Sequence, residues 1–289
     1  MVDQAEGLRT LFRDRAGLRT DASRVPDIYT VAVTSGKGGV GKTSIAVNLA
    51  LLLARSRRQV RLVDADFGLS NVEVLLGTAP KYTLDDVVRG DGDVRDAWFD
   101  APGNIKLLLS GSGVHDMADL DGMTGAELMG HILDSASDGD VVIIDTAPGI
   151  SASVVSLLTF ADEVMVVTTP EPTSVTDTYT AIKVLTSFSP DAEITLVANS
   201  CTGPGQASGV AKGLEDICLR FLKRSFQRYE YVPYDSEVSR AVQSQSPLVV
   251  SSPRSAAASW LRKIAIKLDD RVRRRETASR TDKLIKVGA

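Results

Sequence analysis

The chain has 289 residues, of which 43% are hydrophobic and 24% are charged, and it contains two cysteines. This composition is typical of a globular protein with a large core, and it excludes collagen-like, wholly disordered and disulfide-stapled chains. Cys201 and Cys218 lack the spacing of a metal site, and the sequence shows neither a signal-peptide pattern nor an apolar run that would span a bilayer. We therefore expect a reduced, cytoplasmic setting.

The charge is distributed unevenly along the chain. The net charge at pH 7 is −4, but residues 254–289 carry 11 Lys or Arg against four acidic residues, which is a net charge of +7. The preceding body therefore carries −11. A basic tail on an acidic body indicates an anionic partner or an anionic surface as a candidate contact.

Three segments follow one another along the chain. Residues 1–26 form an arm that ends in a linker before Pro26, residues 27–253 form the main domain, and residues 254–289 form a basic helical tail. In the arm, four apolar residues lie at roughly helical spacing: Leu8, Leu11, Phe12 and Leu18.

In the main domain, short β-rich runs alternate with longer segments of helical periodicity. The predicted strands are Tyr29–Thr34, Val60–Asp64, Ile105–Leu109, Val141–Asp145, Glu163–Thr168 and Ile194–Asn199. The predicted helices begin near Lys42, Thr124, Ser151, Thr173, Gln206 and Ser236. Strands separated by helices of this length need crossover connections, so the pattern predicts an α/β fold with a mostly parallel central sheet between two helical layers.

The first motif, Gly-Lys-Gly-Gly-Val-Gly-Lys-Thr at residues 36–43, matches G-x-x-x-x-G-K-[ST] between a predicted strand and a predicted helix. Its glycines let consecutive N–H groups converge on phosphate oxygens, and the helix N-terminus adds the positive end of its dipole. Lys42 supplies a charge to the β- and γ-phosphates, and the Thr43 hydroxyl supplies a magnesium ligand. The predicted nucleotide-binding residues are Gly36, Lys37, Gly38, Gly39, Val40, Gly41, Lys42, Thr43 and Ser44.

Acidic residues end two further predicted strands. Asp64 and Asp66 follow the second strand, where ligands of open α/β sheets bind. One of these carboxylates is expected to hold a magnesium-bound water, and the other to orient the water that attacks the γ-phosphate. Four β-branched residues lead to Asp145, which suits a magnesium site, and Thr146–Gly149 is predicted to sense the γ-phosphate.

These motifs together resemble a known family. Lys37 is the second residue of the loop, and the segments Asp-Ala-Asp-x-Gly-Leu-x-Asn from Asp64 and Asp-Thr-Ala-Pro-Gly from Asp145 follow in order. Over residues 29 to about 250, the chain resembles the deviant Walker A ATPases, the MinD/ParA group of the P-loop NTPases. The resemblance implies the P-loop NTPase fold, with three αβα layers, and a Mg²⁺-dependent ATPase that dimerises when ATP is bound.

The resemblance also implies roles for individual residues. Lys37 reaches the nucleotide of the partner protomer, Asp66 positions the attacking water, and Asp145 serves magnesium. Asn199 and the segment that contains Pro233 match positions that contact adenine. The expected catalytic residues are Lys37, Lys42 and Asp66, and the expected magnesium site is formed by Thr43, Asp64 and Asp145.

The arm indicates a branch of the family. Residues 3–11, Asp-Gln-Ala-Glu-Gly-Leu-Arg-Thr-Leu, resemble the short element that heads the flagellar-number regulators FlhG, FleN and YlxH. In that branch the element engages and activates FlhF, a signal-recognition-type GTPase, so the resemblance implies a dimerisation switch that regulates flagellar placement or number. Iron–sulfur branches need cysteine pairs, and the autokinase branch needs a tyrosine-rich tail. Residues 235–289 contain no Tyr, and the two cysteines are not paired in a C-x-x-C motif.

Other functions stay open at this point. A ParA-type partition ATPase that binds DNA nonspecifically, a MinD-like division-site regulator and a scaffold with negligible turnover share the same motifs. The tail has three interpretations: a docked last helix to about Asp270 with solvated charges, a membrane-targeting helix, or a DNA-binding segment. For the membrane, Arg271–Arg275 and residues 283–287 are candidates at the inner face of the cell membrane, and residues 276–282 are expected to be disordered.

Overall fold

The computed structural model describes residues 27–67, 71–111 and 125–287, and it contains an eight-stranded sheet. The strands are β1 (Tyr29–Thr34), β2 (Val60–Ala65), β3 (Phe99–Ala101), β4 (Ile105–Leu108), β5 (Val141–Thr146), β6 (Glu163–Thr168), β7 (Ile194–Cys201) and β8 (Arg228–Pro233). The helices are α1 (Lys42–Arg55), α2 (Val72–Leu76), α3 (Leu84–Val88), α4 (Val94–Ala97), α5 (Gly125–Asp134), α6 (Ala152–Thr159), α7 (Pro172–Phe188), α8 (Pro204–Leu222), α9 (Ser236–Gln243), α10 (Leu248–Ser251) and α11 (Ala256–Val287).

The sheet brings the ends of the motif-bearing strands together. The strand order is β3-β4-β2-β5-β1-β6-β7-β8, and every neighbouring pair is parallel except β3 with β4. Asp145 is in register with Asp64 of β2 on one side and with Val33 of β1 on the other. The carboxyl ends of β1, β2 and β5 therefore meet at one edge, where α1 also begins.

Both faces of the sheet are covered by helices. Along β5, Val141 and Ile143 face a core shared with α1, α10 and α11, whereas Val142 and Ile144 face a core shared with α5, α6 and α7. Because strand side chains alternate between faces, a continuous β-branched run suits a strand that is buried on both sides. The three-layer αβα architecture with a mostly parallel sheet confirms the predicted fold class.

The structure contains all six predicted strands, but it also contains two that the pattern missed. β3 has three residues and pairs antiparallel at the sheet edge, which is too short for a periodicity signal. β8 reads Arg-Tyr-Glu-Tyr-Val-Pro, and its polar residues suit the opposite edge of the sheet, where Glu230 pairs with Lys267 of α11. Edge strands are exposed on one side, so they need not be continuously apolar.

Some predictions fall on residues that the structure does not describe. The arm of residues 1–26, with the element of residues 3–11, lies outside the described residues, as do residues 68–70 of the acidic motif. α5 is described from Gly125, so the expected start at Thr124 also lies outside them. The division of the chain at residues 27 and 254 stays a prediction.

The basic tail forms α11, and its first part is docked as expected. Leu261, Ile264, Leu268 and Val272 are buried against the same core as α1. The expectation of disorder over residues 276–282 is wrong, because the helix continues to Val287. Two contacts hold this stretch locally: Arg58 binds Glu276, with 2.5 Å between Nη1 and Oε1, and the Ser279 hydroxyl donates to Asp27 at 2.6 Å.

Beyond Asp270, where the docked part of the tail was expected to end, two arginines of α11 also pair with the body. Arg271 forms a bidentate pair with Glu163, with 2.8 Å from both Nε and Nη2 to the carboxylate oxygens. Glu163 is fully buried and also accepts hydrogen bonds from the Tyr29 hydroxyl at 3.0 Å and the Thr195 hydroxyl at 2.6 Å. At this point a basic residue of the tail therefore pairs with an acidic residue of the body.

Three more ion pairs follow the same helix. Lys267 binds Glu230 at 2.7 Å, Arg275 binds Asp162 at 2.7 Å, and Arg58 of the body binds Asp269 at 2.5 Å. The 271–275 cluster, a candidate membrane or DNA contact from sequence alone, thus has two of its arginines paired with the body. Within the described residues, no helix is long and apolar enough to cross a membrane.

Replacing Arg271 with Ala should lower the free energy of unfolding by about 3–5 kcal/mol, because it leaves the buried Glu163 carboxylate without its charge partner. Urea denaturation followed by circular dichroism measures this change. Arg274→Ala is the matched control, since Arg274 is exposed on the same helix, and its effect should stay within about 0.5 kcal/mol. Equal effects of the two substitutions would contradict a stabilising role for the Arg271–Glu163 pair.

Candidate nucleotide-binding site

The glycine-rich loop connects β1 to α1 and packs closely against two other segments. A Cβ at Gly36 would overlap the backbone carbonyl of Asp177 in α7, so only glycine fits there. The Ser35 hydroxyl donates to the Lys37 carbonyl at 2.7 Å, and the Gly149 N–H donates to the Ser35 carbonyl at 2.8 Å. The loop is thus fixed from α7 and from the segment that follows β5.

The N–H groups of the loop suit an anion. Among the residues that the structure describes, no N–H from residues 38–44 donates to a backbone carbonyl. Gly41, with φ 95°, precedes the first helical residue Lys42, so the positive end of the α1 dipole adds to the same place. Consecutive free N–H groups at a helix start are the ordinary recognition elements for phosphate. The residues present therefore fit the phosphates of a nucleotide.

Lys42 lies at the centre of the site and is largely buried. Burial lowers the pKa of its ammonium, whereas the charges of Asp145 and Asp66 act in the opposite direction. The structure thus brings Lys42, Asp66 and Asp145 close enough for mutual electrostatic interaction, although they come from three separate segments of the sequence.

Asp145 is a buried carboxylate with a raised pKa. Burial, followed by repulsion from Asp64, raises the pKa of Asp145 to about 8, although a hydrogen bond with the Thr43 side chain and the charge of Lys42 favour its ionised form. Its Oδ1 atom is buried and has no hydrogen-bond partner in the described part of the chain. A buried carboxylate oxygen without a partner beside a threonine hydroxyl fits a hard cation such as Mg²⁺.

Asp64 and Asp66 lie at the end of β2. Asp64 is fully buried and accepts hydrogen bonds from the N–H groups of Asp66 at 3.1 Å and Val72 at 3.4 Å. Burial raises the pKa of Asp66, and the charge of Lys42 partly offsets that effect. Asp64 therefore fixes the turn that carries Asp66, which is a role that the sequence did not indicate.

These carboxylates do not form a metal cage by themselves. Within residues 27–67, 71–111 and 125–287, no group of three or more His, Cys, Asp or Glu is placed to hold a metal ion. Mg²⁺ usually keeps several waters and binds through one or two carboxylates together with phosphates of the substrate. Thr43 and Asp145 fit that pattern, and a direct ligand role of Asp64 stays a prediction.

Lys37 lies apart from the Lys42 cluster. Its ammonium binds Glu171 at 3.0 Å and the Thr173 hydroxyl at 3.1 Å, near the start of α7. Both charged side chains are exposed, and an exposed ion pair contributes little to stability. The contact therefore leaves Lys37 free to change partners, while its role in a second protomer stays a prediction.

The two predicted adenine contacts lie at neighbouring strand ends. Asn199 ends the regular part of β7, and its Nδ2 donates to the Val40 carbonyl at 2.7 Å. Pro233 ends β8 and is in register with Cys201, whose carbonyl accepts the N–H of Tyr234 at 2.8 Å. The sequence did not indicate the contact between Asn199 and the glycine-rich loop, because the two residues are 159 positions apart.

Gly36→Ala should lower the free energy of unfolding by about 1–3 kcal/mol, because the new Cβ forces α7 away from the loop. Thermal and urea denaturation without nucleotide measure this effect independently of binding. The matched control is Gly38→Ala, whose Cβ would meet nothing closer than Pro148 Cγ at 3.8 Å. Equal stability of the Gly36→Ala variant and the wild type would show that α7 does not restrain the loop.

Comparisons with known proteins agree with this geometry. Residues 31–248 match the model of the CobQ/CobB/MinD/ParA nucleotide binding domain. The chain is 41% identical over 242 residues to the antiactivator FleN of Pseudomonas aeruginosa, covering 84% of this chain and 86% of that protein. It is 34% identical over 177 residues to the flagellum site-determining protein YlxH of Helicobacter pylori, covering 60% of this chain and 58% of that protein.

Solved structures show the same fold. The septum site-determining protein MinD of Pyrococcus horikoshii, complexed with Mg-ADP, superposes with a TM-score of 0.69 at 24% identity, covering 84% of this chain and 96% of that one. The cell division ATPase MinD of Pyrococcus furiosus gives a TM-score of 0.68 at 26% identity, with coverages of 84% and 98%. The chain therefore belongs to the CobQ/CobB/MinD/ParA family of nucleotide-binding domains, within its MinD/ParA P-loop ATPases, and its similarity to FleN and YlxH supports the flagellar-regulator branch.

Proposed function

We propose that the protein is a Mg²⁺-dependent ATPase whose ATP-bound form dimerises and thereby regulates flagellar placement or number through an FlhF-type GTPase. The observation that carries the ATPase part is the convergence of Lys42, Asp66 and Asp145 at the start of α1. Similarity to FleN and YlxH supports the flagellar part.

Each residue of the cluster has a separate task in hydrolysis. The N–H groups of residues 38–44 and the ammonium of Lys42 bind the phosphates, and Thr43 and Asp145 hold magnesium. When bound, the magnesium ion neutralises charge that develops on the phosphate oxygens. The raised pKa of Asp66 makes its carboxylate a better acceptor for the proton of the attacking water, which it orients.

The same geometry supports a nucleotide-dependent switch. Asp66 and Gly149 follow strands that end beside the phosphate loop, so a γ-phosphate would contact both segments only before hydrolysis. Lys37 is exposed and held by one exposed ion pair, which allows it to transfer to a nucleotide across a dimer interface. Loss of the γ-phosphate would remove these contacts and release the dimer.

The basic tail offers fewer unpaired charges for contact with an anionic surface than its composition indicates. Because Arg271 and Arg275 are paired with Glu163 and Asp162, contact with the inner face of the cell membrane would depend on the remaining basic residues, such as the exposed Arg274 and, beyond Ser279, Lys283 and Lys286. The same pairs weaken the case for DNA binding through the arginine cluster. We therefore favour the flagellar regulator over a partition ATPase.

Asp66→Ala should still bind Mg-ATP but lose at least about 100-fold in turnover, since it removes the group that orients water. It should accumulate as an ATP-bound dimer. Phosphate release and light scattering after size exclusion measure the two effects, with Asp100→Ala on the exposed edge strand as a control that leaves both unchanged. A variant that stays monomeric with ATP contradicts the switch. Wild-type turnover no higher than that of Lys42→Ala contradicts the ATPase.

Removal of residues 1–20 should abolish binding and stimulation of a purified FlhF-type GTPase, because these residues contain the partner-binding element. Binding of Mg-ATP should be unchanged, since none of the residues assigned to the nucleotide site belongs to the arm. Pull-down and GTP hydrolysis measure the partner effects. A chain truncated after Ser279 is the matched control and should retain stimulation. Full stimulation by the chain without residues 1–20 would exclude the arm as the activating element.

A further inference from the structure

Under the proposed function, Lys37 has to point out of its own nucleotide site and towards the site of a second protomer. In the structure its ammonium lies at the start of α7, where it binds Glu171 at 3.0 Å and the Thr173 hydroxyl at 3.1 Å. An exposed ion pair of this kind holds a side chain only weakly. The direction in which Lys37 leaves the loop is therefore set by its backbone.

Two contacts restrain the backbone on either side of Lys37. Before it, Gly36 packs so closely on α7 that a Cβ would overlap the carbonyl of Asp177. After it, the Lys37 carbonyl accepts a hydrogen bond from the Ser35 hydroxyl at 2.7 Å. Because each peptide unit is planar, the two contacts restrain both peptide planes that meet at the Lys37 Cα atom, and with them the direction of its Cβ.

Ser35 is itself held firmly in place. It directly follows β1 and is fully buried. Its carbonyl accepts the N–H of Gly149 at 2.8 Å, so it is also attached to the segment that follows Asp145. The Ser35 hydroxyl thus connects the Lys37 peptide to the ends of two central strands, β1 and β5.

We propose that Ser35 is a positioning residue for Lys37, whose hydroxyl holds the Lys37–Gly38 peptide in the orientation from which the lysine side chain reaches the nucleotide of a second protomer. This inference rests on the proposed dimerisation switch, and it adds to that switch a side chain that contacts neither nucleotide. Loss of the Ser35 hydroxyl then weakens the dimer far more than it weakens nucleotide binding within one protomer.

The test separates binding within one protomer from dimerisation. Calorimetry gives the affinity for Mg-ADP, and sedimentation with Mg-AMP-PNP gives the dissociation constant of the dimer, both with the full chain. Ser35→Ala should weaken the dimer about ten- to hundredfold, because each of its two loops loses one hydrogen bond worth about three- to tenfold. Mg-ADP affinity should change by less than about threefold, since only the N–H of Gly38 belongs to the released peptide.

Thr159→Val is the matched control. Thr159 is buried, and its hydroxyl donates to the Ser156 carbonyl at the same distance of 2.7 Å, but at the end of α6. This control should leave both constants unchanged, and its unfolding temperature should agree with that of Ser35→Ala within about 2 °C. Ser35→Cys, whose thiol is a weak donor, should weaken the dimer less than Ser35→Ala and replaces it if that variant does not fold.

Lys37→Ala provides the reference, because it should weaken the dimer at least as much as Ser35→Ala and still bind Mg-ADP. Any of three results would overturn the proposal: a Ser35→Ala dimer as tight as the wild type, a Mg-ADP affinity that falls by as large a factor as dimerisation, or an equal loss of dimer in Thr159→Val. A wild-type chain that stays monomeric with Mg-AMP-PNP, or a Lys37→Ala chain that dimerises normally, would refute the proposed switch itself and this inference with it.

Discussion

The buried electrostatic balance around Lys42 is the constraint on which the rest of the site depends. Burial acts against the charge of Lys42, Asp66 and Asp145 alike; opposite charges oppose this effect at Lys42 and Asp66, whereas at Asp145 the Thr43 hydrogen bond and the charge of Lys42 oppose both burial and repulsion from Asp64. Removing one partner from such a cluster leaves an uncompensated charge in a low-dielectric environment. The sheet order brings these groups together, because β1 and β2 lie on either side of β5 and their carboxyl ends meet at one edge.

A second electrostatic contact lies at the edge of the sheet where the parallel strands begin, opposite the nucleotide site. Glu163 begins β6 and holds Arg271 of α11, while Ser279 of the same helix bonds Asp27, which directly precedes β1. The last described turns of α11 thus lie beside the point where the arm of residues 1–26 joins the domain. Since parallel strands start at one edge and end at the other, the arm joins at the edge opposite the nucleotide site. Under the proposed function, a signal between the arm and the nucleotide site would have to pass from one edge of the sheet to the other.

The uneven distribution of charge between the body and the tail has a structural explanation that composition alone did not supply. The acidic body and basic tail attract each other directly, with Glu163, Asp162 and Glu230 as the acceptors on the body. The bidentate pair between Arg271 and the fully buried Glu163 is screened less by salt than an exposed pair. The tail is therefore first of all a part of the fold, and the exposed Arg274 and the end beyond Ser279 are left as candidates for external contacts.

The sequence by itself determined the family, the phosphate loop and the positions of the buried strands along the chain, because each depends on local patterns. The run from Val141 to Asp145 is apolar up to its last residue, which is a carboxylate. This pattern can be recognised without knowing which strands lie beside it. Only the tertiary structure decided that Gly36 must accommodate the Asp177 carbonyl and that Asn199 bonds Val40. These contacts join residues more than 100 positions apart, and pairing at that distance is set by sheet order and register, on which local periodicity carries no information.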